Sequence, residues 1–188
     1  MTIPGKTEAG TGTLWQADPF HTQVEFTAKH LGMMTVRGHF AEVSVTGHID
    51  PDHPETLAIE ATIQTASIHT NHPKRDDDLR ASNFLDTENY PTITFKSTRV
   101  DSLGEDRYAL TGDLTIKGNT RPVTLNGVVY GAINDPRMGH RIGYSAEGQI
   151  NRKDFGMTFN MMFDGKWIVA DEVQILIEGE IVEQKPSA

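Results

Sequence analysis

Residues Thr65 to Ser97, TASIHTNHPKRDDDLRASNFLDTENYPTITFKS, read as a strand end, a short charged helix and a turn into another strand. Pro73 suits the first helical position, because its missing N–H would have no partner there. The spacing predicts a helix over Lys74 to Ser82 with Leu79 as its apolar anchor, and Phe84 and Leu85 follow at its exit. Everything around this insertion has a different period.

From Phe20 onward apolar residues recur at every second position. Val24, Phe26, Ala28 and His30 share a face, as do Leu57, Ile59, Ala61 and Ile63, and Ile93 with Phe95. The same holds for Tyr108, Leu110, Gly112, Leu114 and Ile116, and for Val123, Leu125, Gly127 and Val129. Ile142, Tyr144, Ala146, Gly148 and Ile150 follow, then Val173, Ile175, Ile177, Gly179 and Ile181. With Val36 to Ile49 these runs make eight expected strands, punctuated by turn signals such as Asp50-Pro51, Lys117-Gly118-Asn119 and Asn134-Asp135-Pro136. One-sided alternation over this many strands predicts an all-β fold, an eight-stranded antiparallel β-barrel with a short helical insertion. A barrel of that size can be filled by its own side chains or can hold one slender ligand. Four glycines, Gly112, Gly127, Gly148 and Gly179, fall mid-strand on the apolar faces. They permit curvature, or they leave room inside.

The 188 residues suit one barrel domain over 14–183 behind a tail over 1–13. The charge of −9, without a basic cluster, argues against a nucleic-acid partner. No cysteine is present, which removes disulfides and thiolate chemistry. The opening MTIPGKTEAGTG holds no apolar run of signal-peptide length, so a cytoplasmic location without membrane insertion is the expectation. Gly5-Lys6-Thr7 ends like a phosphate-binding loop but lacks the upstream glycine and strand.

Chemistry-bearing motifs are sparse. Gly143-Tyr144-Ser145-Ala146-Glu147 misses the last glycine of a nucleophile elbow. His69 and His72 precede Asp76-Asp77-Asp78, and His21, His30, His39 and His48 recur at a regular interval. A zinc site needs three or four converging ligands, and nothing in this spacing predicts convergence, so no metal, cofactor or catalytic residue is expected. Arg75 either pairs with Asp76 or offers its planar fork to a ligand head. His30 is either a polar contact in a pocket or a satisfied core histidine. Phe155 to Phe163, FGMTFNMMF, is the most apolar window. Its flexible methionines suit either ordinary packing or the lining of a pocket for a kinked chain, and Met33 and Met34 can extend it. Continued alternation would put Met157, Phe159, Met161 and Phe163 on one face.

Taken in order, the residues resemble the YceI-like family. The resemblance runs through His21-Thr22, Val24-Glu25-Phe26, Lys29-His30-Leu31 and Val36-Arg37-Gly38-His39-Phe40. It continues through Ser67-Ile68-His69-Thr70, Arg75-Asp76, Asn83-Phe84-Leu85-Asp86, Tyr90 to Phe95, Tyr108 to Gly118 and Asn151 to Gly156. It implies a lipocalin-like barrel that binds, stores or carries a long polyisoprenoid, an isoprenoid quinone or polyprenyl lipid, often in the periplasm and linked to stress responses. From the opening residues no secretory leader of the common kind is expected, and Thr22 stands where serine is more usual.

Under that reading the expected lining is Val24, Phe26, His30, Phe40, Ile63, Arg75, Leu79, Phe84, Phe95, Leu114, Tyr144, Phe155, Met157, Phe159, Met161, Phe163 and Ile175. The expected partner is the lipid itself, and a homodimer is compatible with it. The alternatives are an enzyme acting on a small apolar substrate in the same cavity, and a barrel packed solid by its own side chains.

Overall fold

The computed structural model describes residues 12–50 and 56–184. The elements in chain order are β1 (Thr13–His30), β2 (Met34–Phe40), β3 (Val43–Ile49), β4 (Ala58–Gln64), β5 (Ile68–His69) and α1 (Pro73–Arg80). They continue as β6 (Thr92–Gly104), β7 (Arg107–Ile116), β8 (Asn119–Asp135), β9 (Gly139–Asn151), β10 (Met162–Phe163), β11 (Lys166–Trp167) and β12 (Val169–Glu183).

The main sheet runs β12-β9-β8-β7-β6-β4-β3-β1 and closes because β12 also pairs with β1. This is the expected eight-stranded antiparallel barrel, with β2 added along β1 and β5 along β2. Two-residue hairpins join several strands. Lys117 and Gly118, at φ 50° and 72°, link Ile116 to Asn119, the positive-φ pair that matches the strands' twist.

Three expectations change. Val36 to Ile49 is not one strand: the chain turns at Ala41-Glu42, where Ala41 N–H donates to Ser67 O (3.1 Å) and Gln64 N–H to Glu42 O (3.0 Å). The first strand starts at Thr13, ahead of the expected domain boundary, while most of the expected tail, Gly5-Lys6-Thr7 and Pro51 lie outside the described residues. Phe155 to Phe163 does not continue as an alternating strand. A 3₁₀ turn over Arg152–Phe155 ends at Gly156 in the left-handed region (φ 78°), and only Met162 and Phe163 pair, with Trp167 and Lys166.

Where the core sits follows from the register. Inward positions stack level by level, as in Phe26↔Ile175↔Gly148 and Val24↔Ile177↔Ala146. At the α1 end, segments outside the barrel push side chains inward. Ile68, Leu85, Phe155 and Met157 join Ile93, Ile116 and Ile150 in one buried cluster. Each such side chain contributes about 1.5–3 kcal/mol through removal from water. α1 lies at this end, with its expected apolar anchor Leu79 packed against the cluster. It runs from Pro73 to Arg80, slightly short of Ser82, with the His72 ring accepting from Arg75 N–H (3.3 Å).

Candidate ligand-binding lumen

The barrel interior is not uniformly packed. Phe26, Phe40, Ala61, Ile63, Leu110, Ala146, Val173, Ile175 and Ile177 pack on the buried cluster yet stay only partly buried. A solid barrel core would close over such residues. Their partial exposure on inward positions describes an apolar wall with accessible space beside it.

The expected lining residues divide accordingly. Phe26, Phe40, Ile63 and Ile175 are on this half-open wall, and Leu79 of α1 packs against the cluster beside it. Val24, Phe95, Leu114, Phe155 and Met157 are buried, Phe155 to 1% exposure. Phe84 is half-buried and meets Phe159 edge to face at 5.8 Å. Phe159, Met161 and Phe163 are exposed, together with Met33, Met34, Met162 and Trp167. The common inward face expected for Met157, Phe159, Met161 and Phe163 is therefore absent, because the backbone between them is not a strand.

Arg152 explains that departure. The residue is 2% exposed, and its guanidinium donates to Met157 O, Phe159 O (2.8 Å), Ala170 O (3.1 Å) and Asp171 Oδ1 (3.2 Å). Burial pulls its pKa down and Asp171 pushes it back up. One side chain thus fixes the carbonyls of a segment that has no ladder partner. Asn160 completes the tie by accepting from Val169 N–H and donating to Val169 O (2.8 Å). Sequence reading saw Arg152 only as part of a resemblance, since a lone arginine carries no periodic signal.

Arg75 and Asp76 do not form the direct pair considered for them; Thr70 stands between them. Arg75 donates to Thr70 Oγ1 and Thr70 O, both at 2.7 Å, while Asp76 accepts from Thr70 N–H (2.8 Å) and its hydroxyl. Burial pushes Asp76 upward, but these hydrogen bonds, with the charges of His69 and Arg80, leave its pKa lowered. Arg80 donates to Ala66 O and Ile68 O, fastening α1 to β5.

His30 bonds through Nδ1 to Ile168 O (2.8 Å), which is the satisfied-histidine arrangement, at the end of β1. Among the described residues, the metal-ligating side chains of Asp18, His21 and Glu180 come together, but Arg141 already bridges Asp18 and Glu180. His39 and His69 face each other across β2 and β5 with ring centroids 5.4 Å apart.

The mid-strand glycines serve neighbouring side chains. A Cβ on Gly112 would lie 2.4 Å from the Phe95 ring, and one on Gly148 2.7 Å from Leu125. At Gly179 it would lie 2.9 Å from Thr22 Oγ1 and 3.0 Å from the Tyr144 hydroxyl. Tyr144 is on the inner face, and burial raises its pKa against a hydrogen bond with Thr22. Thr22 was outside the expected lining.

Closed barrels of this size are among the folds in which small-molecule sites occur. The YceI-like domain model matches residues 15–181, and the chain belongs to that family. It is 39% identical to Protein YceI of Escherichia coli O157:H7 over 165 residues, 88% of this chain and 83% of that protein. Among solved structures it is similar to Burkholderia cenocepacia BcnA, with a TM-score of 0.76 at 27% identity, covering 88% of this chain and 99% of that one. A polyisoprenoid binding domain from Saccharophagus degradans shares the fold, with a TM-score of 0.65 at 15% identity over 90% of this chain and 98% of that one.

Proposed function

We propose that this protein binds a long polyisoprenoid lipid in its barrel and acts as a carrier or store rather than an enzyme. The observation that carries this reading is the ring of inward apolar residues left partly open, from Phe26 and Phe40 across to Ile175 and Ile177. Burying a lipid chain there gains about 0.8 kcal/mol per CH₂ before ordering costs, so a few isoprene units give useful affinity. The described polyisoprenoid binding domain from Saccharophagus degradans supports the choice of ligand through its shared fold. A binding role also fits the commitment of His30 to a main-chain carbonyl.

The test is native mass spectrometry and lipid extraction of the purified protein, followed by addition of polyprenyl lipids. Recovery of a prenyl lipid, or saturable uptake of an added one, is expected. Protein that is repeatedly empty and takes up none of the added lipids overturns the reading.

A further inference from the structure

The outer face of β2 holds a row of side chains that no spacing along the chain reveals. His39 of β2 is directly opposite Glu25 of β1 on one side and His69 of β5 on the other. Residues opposite one another on a ladder share a face, so the three make one row across three strands. Both histidines are exposed, and their ring centroids are 5.4 Å apart. Zinc–nitrogen bonds of about 2.0–2.1 Å, together with the radius of each ring, set two ligating centroids roughly 5 Å apart in tetrahedral geometry. The two rings already stand near that separation.

The other histidines of the described residues are committed elsewhere. His21, His30, His72 and His140 each use a ring nitrogen on Asp18, Ile168 O, Arg75 N–H and Glu183. His48 has its Nδ1 buried. His69 accepts only a long contact from Asn71 N–H (3.4 Å), which a metal-bound ring can release. Glu25 is half-buried and adds a carboxylate to the row. Two imidazoles and a carboxylate, with water in the fourth position, are a donor set that zinc takes. The chain's charge of −9 favours a cation over an anion.

The consequence of such a bond follows from the ladder between β2 and β5, whose two pairs face opposite ways. His39↔His69 is outside, whereas Phe40↔Ile68 reaches the core, with Ile68 in the buried cluster and Phe40 on the half-open wall. β5 also anchors α1, because Arg80 donates to Ile68 O and the adjacent Thr70 holds Arg75 and Asp76. A bond across the outer pair therefore fixes the inner pair and the helix behind it.

We propose that Glu25, His39 and His69 form a site for a divalent transition metal of the zinc class, which clasps β5 to β2 from outside the barrel. The site does not depend on what the lumen holds. It is tested by calorimetric titration of the tag-free, chelator-treated chain with zinc chloride, followed by thermal unfolding and hydrogen exchange. Wild-type protein should bind zinc, and its thermal midpoint should rise by about 5 °C when free zinc is about a hundredfold above Kd. His39→Asn, His69→Asn and Glu25→Gln should each weaken zinc at least about tenfold, since loss of even a ligand's hydrogen-bond partner costs about 10–100-fold. Their metal-free midpoints should stay within about 2 °C of wild type, which separates loss of a ligand from loss of the fold. His21→Asn, in the other group of ligating side chains, should leave the affinity unchanged. Exchange at residues 68–70 should slow with zinc in wild type and not in His69→Asn. Wild-type protein that binds no zinc, unchanged affinity in any of the three ligand variants, or loss of binding in His21→Asn overturns the site. Zinc bound without slower exchange at 68–70 overturns the clasp.

Discussion

The two sides of the barrel interior use the same residue types and the same alternation, yet one is packed and the other is half-open. At the α1 end Ile68, Leu85, Phe155 and Met157 arrive from outside the barrel and fill the space between Ile93, Ile116 and Ile150. On β1, β2 and β12, Phe26, Phe40, Val173 and Ile175 pack against the same cluster yet keep part of their surface free, although Ile68 pairs opposite Phe40. Strand alternation decides which way a residue points; the connecting segments decide whether the space it points into is filled.

The sharpest way to break this contrast is to pull the plug. Arg152→Ala removes two donor contacts to the segment that carries Met157, at Met157 O and Phe159 O, and two to β12, at Ala170 O and Asp171 Oδ1, while Asp171 keeps Lys153 at 2.7 Å. Each buried acceptor left without a donor costs about 1–3 kcal/mol, and urea denaturation should show a loss of at least about 2 kcal/mol. Arg152→Lys should recover only part of it, since an ammonium cannot reproduce the planar fork. A loss below about 1 kcal/mol for Arg152→Ala would mean that the plug does not depend on this residue.

A paired truncation compares the two sides directly. Phe155→Ala, at a residue 1% exposed, should cost about 3–5 kcal/mol in stability. Ile175→Ala, on the half-open wall, should cost about 1 kcal/mol, because part of its surface is already accessible. The ranking should invert for bound lipid, with Ile175→Ala weakening retention more than its stability loss suggests. Equal destabilisation by the two truncations would mean that the lumen is as solid as the plug.

That division explains how much of the molecule was legible beforehand. Period-two alternation exposes every barrel strand because it is a local signal, so the closed antiparallel fold and the inward placement of Phe26, Ile63, Leu114 and Ile175 follow directly. Pro73 and its charged followers mark α1 for the same reason. The Phe155 to Phe163 window misleads because composition without a ladder partner does not fix a face. There Gly156 and the hydrogen bonds of Arg152 and Asn160 set the path. Gly179 is legible as a mid-strand glycine, but its relation to Thr22 is not, because that relation is cross-strand and depends on a bulge that no period predicts.

Acid should loosen the two pinned corners in a predictable direction. Asp18 is held well below the usual carboxylate range by hydrogen bonds from Arg141, His21 and Phe20 N–H, against the opposing effect of burial. Asp76 is lowered despite its burial. A carboxyl with a depressed folded pKa contributes fully above the unfolded value near 3.8 and loses that contribution as pH falls toward the folded value. Stability should therefore fall below about pH 4 in the wild type. Asp18→Asn and Asp76→Asn should each be less stable near neutrality and show a shallower acid slope. Unaltered slopes in both variants would show that neither carboxyl is coupled to folding.

The smallest expected effects are at the hairpin beyond the plug. Met161 and Met162 are 43% and 52% exposed, and the alternation that would have turned Met161 inward is missing. Aspartate at either position remains hydrated, so the cost of burying a charge does not arise. Met161→Asp and Met162→Asp should each change stability by no more than about 0.5 kcal/mol, the usual range for surface substitutions. Both should keep bound lipid at the wild-type level. Thermal midpoints and lipid extraction of the two variants side by side provide the check. Loss of lipid in Met161→Asp with retention in Met162→Asp would place Met161 against the ligand after all, with the hairpin folded over the lumen when it is filled. Equal retention would leave the apolar wall of β1, β2 and β12, not the methionine-rich window, as the surface that holds the chain.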